Sequence, residues 1–199
     1  MTAVSDLFDM TGRVAVVTGG ATHLGRAMAS ALCELGASVT IASRRQTLCD
    51  QVASEFRDTG FECVGVGCDV TSEDEVYALV DGVVAQTGRL DVMVCNAGGR
   101  GSIPPTYVPH SSVDEFAQSI DVNLKGVYLC AQAAARVMVE QGSGSIITIG
   151  SIHGFTTSDK RFYEGLKMRR GGVGYQTAKG GVIQMTRYLA GELGEYGVT

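Results

Sequence analysis

No apolar run in this chain approaches the roughly 18 residues of a membrane-spanning helix, and the polar N-terminus has no signal-peptide core. A cytoplasmic protein is therefore expected. Proline is scarce: Pro104, Pro105 and Pro109 all fall between Gly99 and His110, which marks one irregular loop. Charge is sparse as well, at 19% of residues with a net of −5, which argues against a general nucleic-acid surface. Cys33, Cys49, Cys63, Cys68, Cys95 and Cys130 include no C-x-x-C pair. No His/Asp/Glu cluster suggests a metal either, so reduced thiols packed as small core residues are expected, with no metal.

What is abundant is apolar side chain and glycine. Hydrophobic residues at 45% describe a globular chain, read as a single domain over residues 1–199. The 27 glycines suit a fold with many tight strand-to-helix turns. Strand-like and helix-like runs alternate. Arg13 to Val17, Ser38 to Ala42, Phe61 to Cys68, Asp91 to Cys95 and Ser145 to Ile149 read as strands. Arg26 to Leu35, Gln46 to Asp58, Glu73 to Gln86, Ser112 to Val122, Leu124 to Glu140 and Tyr175 to Glu195 read as helices, with Ser72 as a cap. Such alternation predicts an α/β fold: a doubly wound parallel sheet with helices on both faces and a ligand crevice at the carboxyl ends of the strands.

Two motifs carry chemistry. Thr18 to Gly25 is a glycine-bearing turn between a strand and a helix. Glycine lets backbone approach a pyrophosphate, and the helix N-terminus adds amides and partial positive charge. Alone, such a turn is equally a plain βα connection. The second motif is Tyr175 with Lys179, four residues apart and hence on one helix face. A fixed cation beside a phenol favours the phenolate and suits it to acid–base work. Alone, that pair is more often a surface contact. Ser151, just after the fifth strand-like run, raises the weight of both.

Together these residues resemble the short-chain dehydrogenase/reductase family from about Leu7 to the last residue. The stretch Leu7 to Gly12 and the first strand–helix unit look most like its sugar, sugar-acid and polyol members. The resemblance implies a Rossmann-like fold and an oxidoreductase moving hydride between a nicotinamide cofactor and a small carbonyl or secondary alcohol. Asn123, Ser151, Tyr175 and Lys179 match its catalytic set: Tyr175 exchanges the proton, Ser151 bonds the substrate oxygen, Lys179 assists Tyr175, and Asn123 orders a relay water. The implied cofactor contacts are Gly19, Thr22, His23, Leu24, Gly25, Ser43, Arg44, Asp69, Val70, Asn96, Ala97 and Gly98, joined by Tyr175 and Lys179. A non-catalytic NADP-binding sensor and a 3-oxoacyl-thioester reductase are the alternatives.

Departures from the family pattern sharpen the reading. His23 replaces the middle glycine of the turn, and histidine tolerates unusual backbone angles well enough to keep it. Ser43, Arg44 and Arg45 stand where an NAD site wants a carboxylate, so NADP is expected over NAD, with Arg44 the main contact. A second pair, Tyr163 with Lys167, lies near the usual spacing from Ser151, but the glycines after it make a poor helix, which favours Tyr175. The intervening segment carries Lys160, Arg161, Lys167, Arg169 and Arg170, either a solvated loop or a site for an anionic substrate, with His153 as a further polar contact. Ala131, Ala133, Ala134, Ala135 and Val139 offer a flat surface for a homotetramer or dimer, or else face the sheet. The family's pattern continues with two more strands, so the resemblance implies either a fragment, C-terminally incomplete by family standards, or an exposed parallel edge that something else must cover.

Overall fold

A computed structural model of the chain describes residues 5–99, 107–166 and 171–199. Five strands, β1 (Val14–Thr18), β2 (Ser38–Ser43), β3 (Cys63–Gly67), β4 (Val92–Cys95) and β5 (Ser145–Thr148), form one parallel sheet in the order β3-β2-β1-β4-β5. The helices are α1 (His23–Glu34), α2 (Gln46–Asp58), α3 (Glu73–Thr87), α4 (Val113–Ile120), α5 (Gly126–Gln141) and α6 (Val173–Leu193).

The period of two along each strand builds two cores, one per sheet face. In β1, Ala15 and Val17 enter a cluster with Val39, Ile41 and the α1 and α2 residues Ala29, Cys33, Val52 and Phe56. Val14 and Val16 point the other way, towards Met93 and the α3, α5 and α6 residues Val80, Val127, Ala131 and Val182. All six cysteines are buried as free thiols. The doubly wound architecture is as expected, and α2 spans the residues that its pattern predicts.

Capping fixes several helix ends. Ser72 Oγ accepts from the Glu75 amide, and Gly88 stops α3 at φ 77°. Ser112 and Glu115 form a reciprocal capping box at the start of α4. The two helices expected around Asn123 are one continuous path, because the break is a π-helical turn, Asp121–Lys125, joining α4 to α5. Past α6, Val198 pairs in parallel with Gly144 beside β5, and the Ile146 amide donates to the Thr199 carbonyl at 2.8 Å.

Candidate active site

Chain order reverses between β1 and β4, and at their carboxyl ends the backbone opens into a crevice. Thr18 and Asn96 stitch the two strand tips together. Thr18 Oγ1 donates to the Val94 carbonyl at 3.2 Å and accepts from the Asn96 and Ala97 amides, each at 3.1 Å. Asn96 Nδ2 returns a bond to the Thr18 carbonyl at 2.9 Å. The turn between them is bare of side chain by necessity. A Cβ on Gly25 would collide with the Gly19 carbonyl and stand 2.5 Å from Asn96 Nδ2. His23 sits at φ 46°, the one non-glycine residue with positive φ among the described residues, so histidine does hold the left-handed position.

Two adjoining cavities make up the crevice. The first, of about 520 Å³, is lined by Ser43, Arg44, Arg45, Asp69 and Val70 together with Gly19, Thr22, Ala97 and Gly98. The second, of about 260 Å³, shares those last four and continues past His23, Leu24, Gly25 and Asn96 to Tyr175 and Lys179. Every residue assigned to the cofactor from the sequence therefore lines one connected groove. Thr71, Gly99 and Val122 also line it, beyond the positions that the motifs indicate. Thr71 is legible in principle, since its amide and hydroxyl both donate to Asp69 Oδ1, the side-chain turn that Asp-x-Thr favours. Burial pushes the Asp69 carboxyl up, but the Thr71 bonds, with Arg44 and Lys125 nearby, hold it below the usual carboxylate range.

At the far end Lys179 is only 4% exposed. Its Nζ donates to the Ile149 carbonyl at 2.5 Å and lies 5.8 Å from the centroid of the Tyr175 ring. Burial lowers its pKa, because a buried ammonium loses hydration. Asn123 is fully buried in the π-helical turn, donating to the Ser119 carbonyl at 3.0 Å and accepting from the Gly99 amide at 2.7 Å. Ser151 follows Gly150, a lining residue, and its Oγ accepts from the His153 amide at 3.1 Å. Neither Asn123 nor Ser151 lines the two cavities themselves.

Tyr163 closes a 3-10 turn, Lys160–Tyr163, and lines neither cavity. Lys167, Arg169 and Arg170 lie outside the described residues. Arg161 is held by its neighbour Asp159, with Nε at 3.0 Å from both carboxylate oxygens, so its charge is already matched. His153 Nδ1 is the one buried side-chain nitrogen or oxygen without a partner among the described residues. Among the same residues no group of three or more His, Cys, Asp or Glu is placed to hold a metal. No helix there is long and apolar enough to cross a membrane.

The chain is 38% identical over 192 residues to tropinone reductase-like 2 of Erythroxylum coca, covering 95% of itself but only 64% of that protein. It is 35% identical to cyclohexanol dehydrogenase of Rhodococcus sp. (strain TK6), covering 98% of itself and 74% of the relative. Its fold superposes with TM-score 0.86 on a gluconate 5-dehydrogenase from Burkholderia cenocepacia J2315 solved in complex with NADP and tartrate. That match is at 30% identity, over 99% of this chain and 72% of the other. The pattern of the short chain dehydrogenases matches residues 13–199, and the chain belongs to that family.

Proposed function

We propose that this chain is an NADP-dependent dehydrogenase/reductase acting between a small ketone and its secondary alcohol, with Tyr175 as the acid–base group. The observation that carries the proposal is the single groove running from Arg44 to Tyr175 and Lys179. Its glycine-lined middle suits a dinucleotide, since the close packing of Gly19 and Gly25 on Asn96 keeps that turn bare of side chains. The cofactor, when bound, supplies the hydride chemistry. Tyr175 gives or takes the proton at the substrate oxygen. Ser151 already accepts through Oγ from His153, so its own proton is left to donate to that oxygen. Lys179 adds positive charge beside the Tyr175 ring. The Asn123 carboxamide ties the Ser119 carbonyl to the Gly99 amide, so its part is to hold the backbone of the π-helical turn, where a relay water would bind.

Arg44 and Arg45 support NADP over NAD, because guanidinium pairs with a phosphate dianion. Dissociation constants for NADPH and NADH, in wild type and Arg44→Ala, test this. NADPH binds tighter to wild type and loses most on the substitution; tighter NADH binding by wild type sinks the assignment. The proton-transfer role is tested separately: Tyr175→Phe loses turnover with NADPH affinity nearly intact, whereas Tyr163→Phe keeps substantial activity. The reverse ranking assigns the chemistry to Tyr163.

For the substrate, a sugar, sugar acid or polyol is one reading, supported by the likeness to the gluconate 5-dehydrogenase. A second is favoured by the segment that follows Ser151 in the chain: Ile152, Phe155, Phe162 and Leu166 are all exposed apolar side chains, and Arg161 is tied to Asp159. That surface suits an alicyclic ketone or alcohol better than an anion, in line with the likeness to cyclohexanol dehydrogenase. Comparing kcat/KM for gluconate, sorbitol and cyclohexanol with NADP separates the two. The reading also includes one dinucleotide-binding unit over residues 1–199, a reducing cytoplasmic setting consistent with six free thiols, and assembly as a dimer or tetramer.

A further inference from the structure

We propose that Gln176 is a positioning residue for Tyr175, clamping the Gly171 peptide against the tyrosine ring. The inference rests on the acid–base role of Tyr175 given above. Gln176 follows Tyr175 in the first turn of α6, and its Nε2 donates twice: to the Gly171 carbonyl at 2.9 Å and to Ser158 Oγ at 3.0 Å. Ser158 is buried, so one carboxamide ties a buried hydroxyl and a backbone carbonyl to the same helical residue.

Gly171 is the contact that matters for chemistry. A Cβ there would stand 3.1 Å from Tyr175 Cδ1 and 3.8 Å from Cε1, so this backbone lies against the edge of the ring and a side chain would press on it. The ring thus has Gly171 packed on it and Lys179 Nζ 5.8 Å from its centroid. An additional restraint is needed here. Tyr175 is the third residue of α6, the cap residue is Gly172, and no side chain caps the helix. Gly174 anchors one side of this turn against Ser119 of α4, but the side that carries Tyr175 and Gln176 is only half-buried and has no cap to hold it. Proton transfer demands about 2.6–3.2 Å between heavy atoms, and a displacement of about 1 Å costs roughly 100-fold in rate. The Gln176 clamp restrains that half-buried side of the turn and the surface on which the ring rests at once.

The test uses the full chain with NADPH and cyclohexanone as probes, and a second readout free of turnover: the fluorine resonance of 3-fluorotyrosine placed at position 175. Gln176→Leu removes both bonds. Its kcat falls about 10- to 100-fold, the scale set by misplacement of a reacting group, NADPH affinity stays close to wild type, and the resonance shifts or splits. Gln176→Glu is nearly isosteric and cannot donate to Gly171, so it behaves in the same way and serves if the leucine variant does not fold. Ser158→Ala leaves the Gly171 bond and stays near wild type in kcat and resonance. An unmoved resonance with unchanged kcat in both Gln176 variants overturns the clamp. So does a loss of kcat matched by loss of NADPH affinity with the resonance unmoved, which is what general loosening produces. Tyr175→Phe run alongside separates the two ideas. If it stays active, the acid–base reading falls. If it is inactive while both Gln176 variants match wild type, only the clamp falls.

Discussion

Lys179 is nine-tenths buried, and burial lowers its pKa because the ammonium loses water. The sign of the consequence follows from proton binding. With the folded pKa below the unfolded value, the unfolded chain holds more protons between the two, so stability rises with pH across that window. Below the folded pKa the burial cost is felt in full. Lys179→Met has no such term. The gap in melting temperature between wild type and Lys179→Met should therefore move in favour of wild type as pH rises from 6 towards 10. Thermal melts of cofactor-free protein at both ends of that range check it, and a gap independent of pH removes the argument. Turnover should be lost in the variant at every pH. A buried cation at this point is a stability cost, and it lies beside the Tyr175 ring and the Ile149 carbonyl, where the proposed chemistry uses it.

Elements are held at their other ends by a different device. At the amino ends of β1 and β4, the Asp91 carboxylate accepts from Arg89 Nη2 at 2.6 Å, Arg13 Nη1 at 2.9 Å and the Val14 amide at 2.9 Å. Burial pushes this carboxyl up, but the Arg89, Val14 and Arg13 bonds outweigh it and hold it below the usual range. A depressed folded pKa stabilises above the unfolded value of about 3.9, and that contribution is lost as pH falls through the folded pKa. The arginine side chains are 42% and 51% exposed, so solvent screens the pairs and the lower part of the range for charged bonds applies. Asp91→Asn should cost about 1.5 kcal/mol at pH 7 and less near pH 3, where the unfolded carboxyl is already protonated. Urea titrations at the two pH values measure it, and an equal cost at both refutes the ionic account.

Much of the architecture is legible in the amino-acid order, for local reasons. Strands rich in β-branched residues and helices with apolar spacing set the alternation. Glycine positions mark the crevice, and His23 fits among them because only tolerance of a left-handed angle is required there. What stays hidden depends on approach between distant segments. The π-helical turn at Asn123 has the composition of ordinary helix, and only burial against Gly99 distinguishes it. The Gln176 clamp joins positions 158, 171 and 176, which no periodicity relates. The alanines of α5 are ambiguous as residues because alanine suits either face of a helix. Ala131, Ala133 and Ala134 prove to be buried in the chain's own core, leaving Ala135 and Val139 half-buried.

At the scale of the whole molecule, those buried alanines change where a second copy would sit. A stable interface removes at least about 1,200 Å² from water and is richest in aromatic side chains. On α5 and α6 the exposed aromatics are Tyr128 and Tyr188, at 43% and 62%. Tyr128, Gln132, Ala135 and Val139 are spaced to follow one stripe of α5 that is not fully buried. Association between copies should therefore run through this stripe and the outer side of α6, with the tyrosines as anchors and Ala135 allowing close approach. Introducing Tyr128→Glu and Tyr188→Glu together sets carboxylates in that surface and adds repulsion to a chain already at −5. Light scattering at micromolar concentration should give a dimer or tetramer for wild type and a monomer for the double variant. NADPH affinity should not change, because both tyrosines lie outside the groove. A monomeric wild type rejects self-association outright, and a double variant that stays assembled rejects this surface.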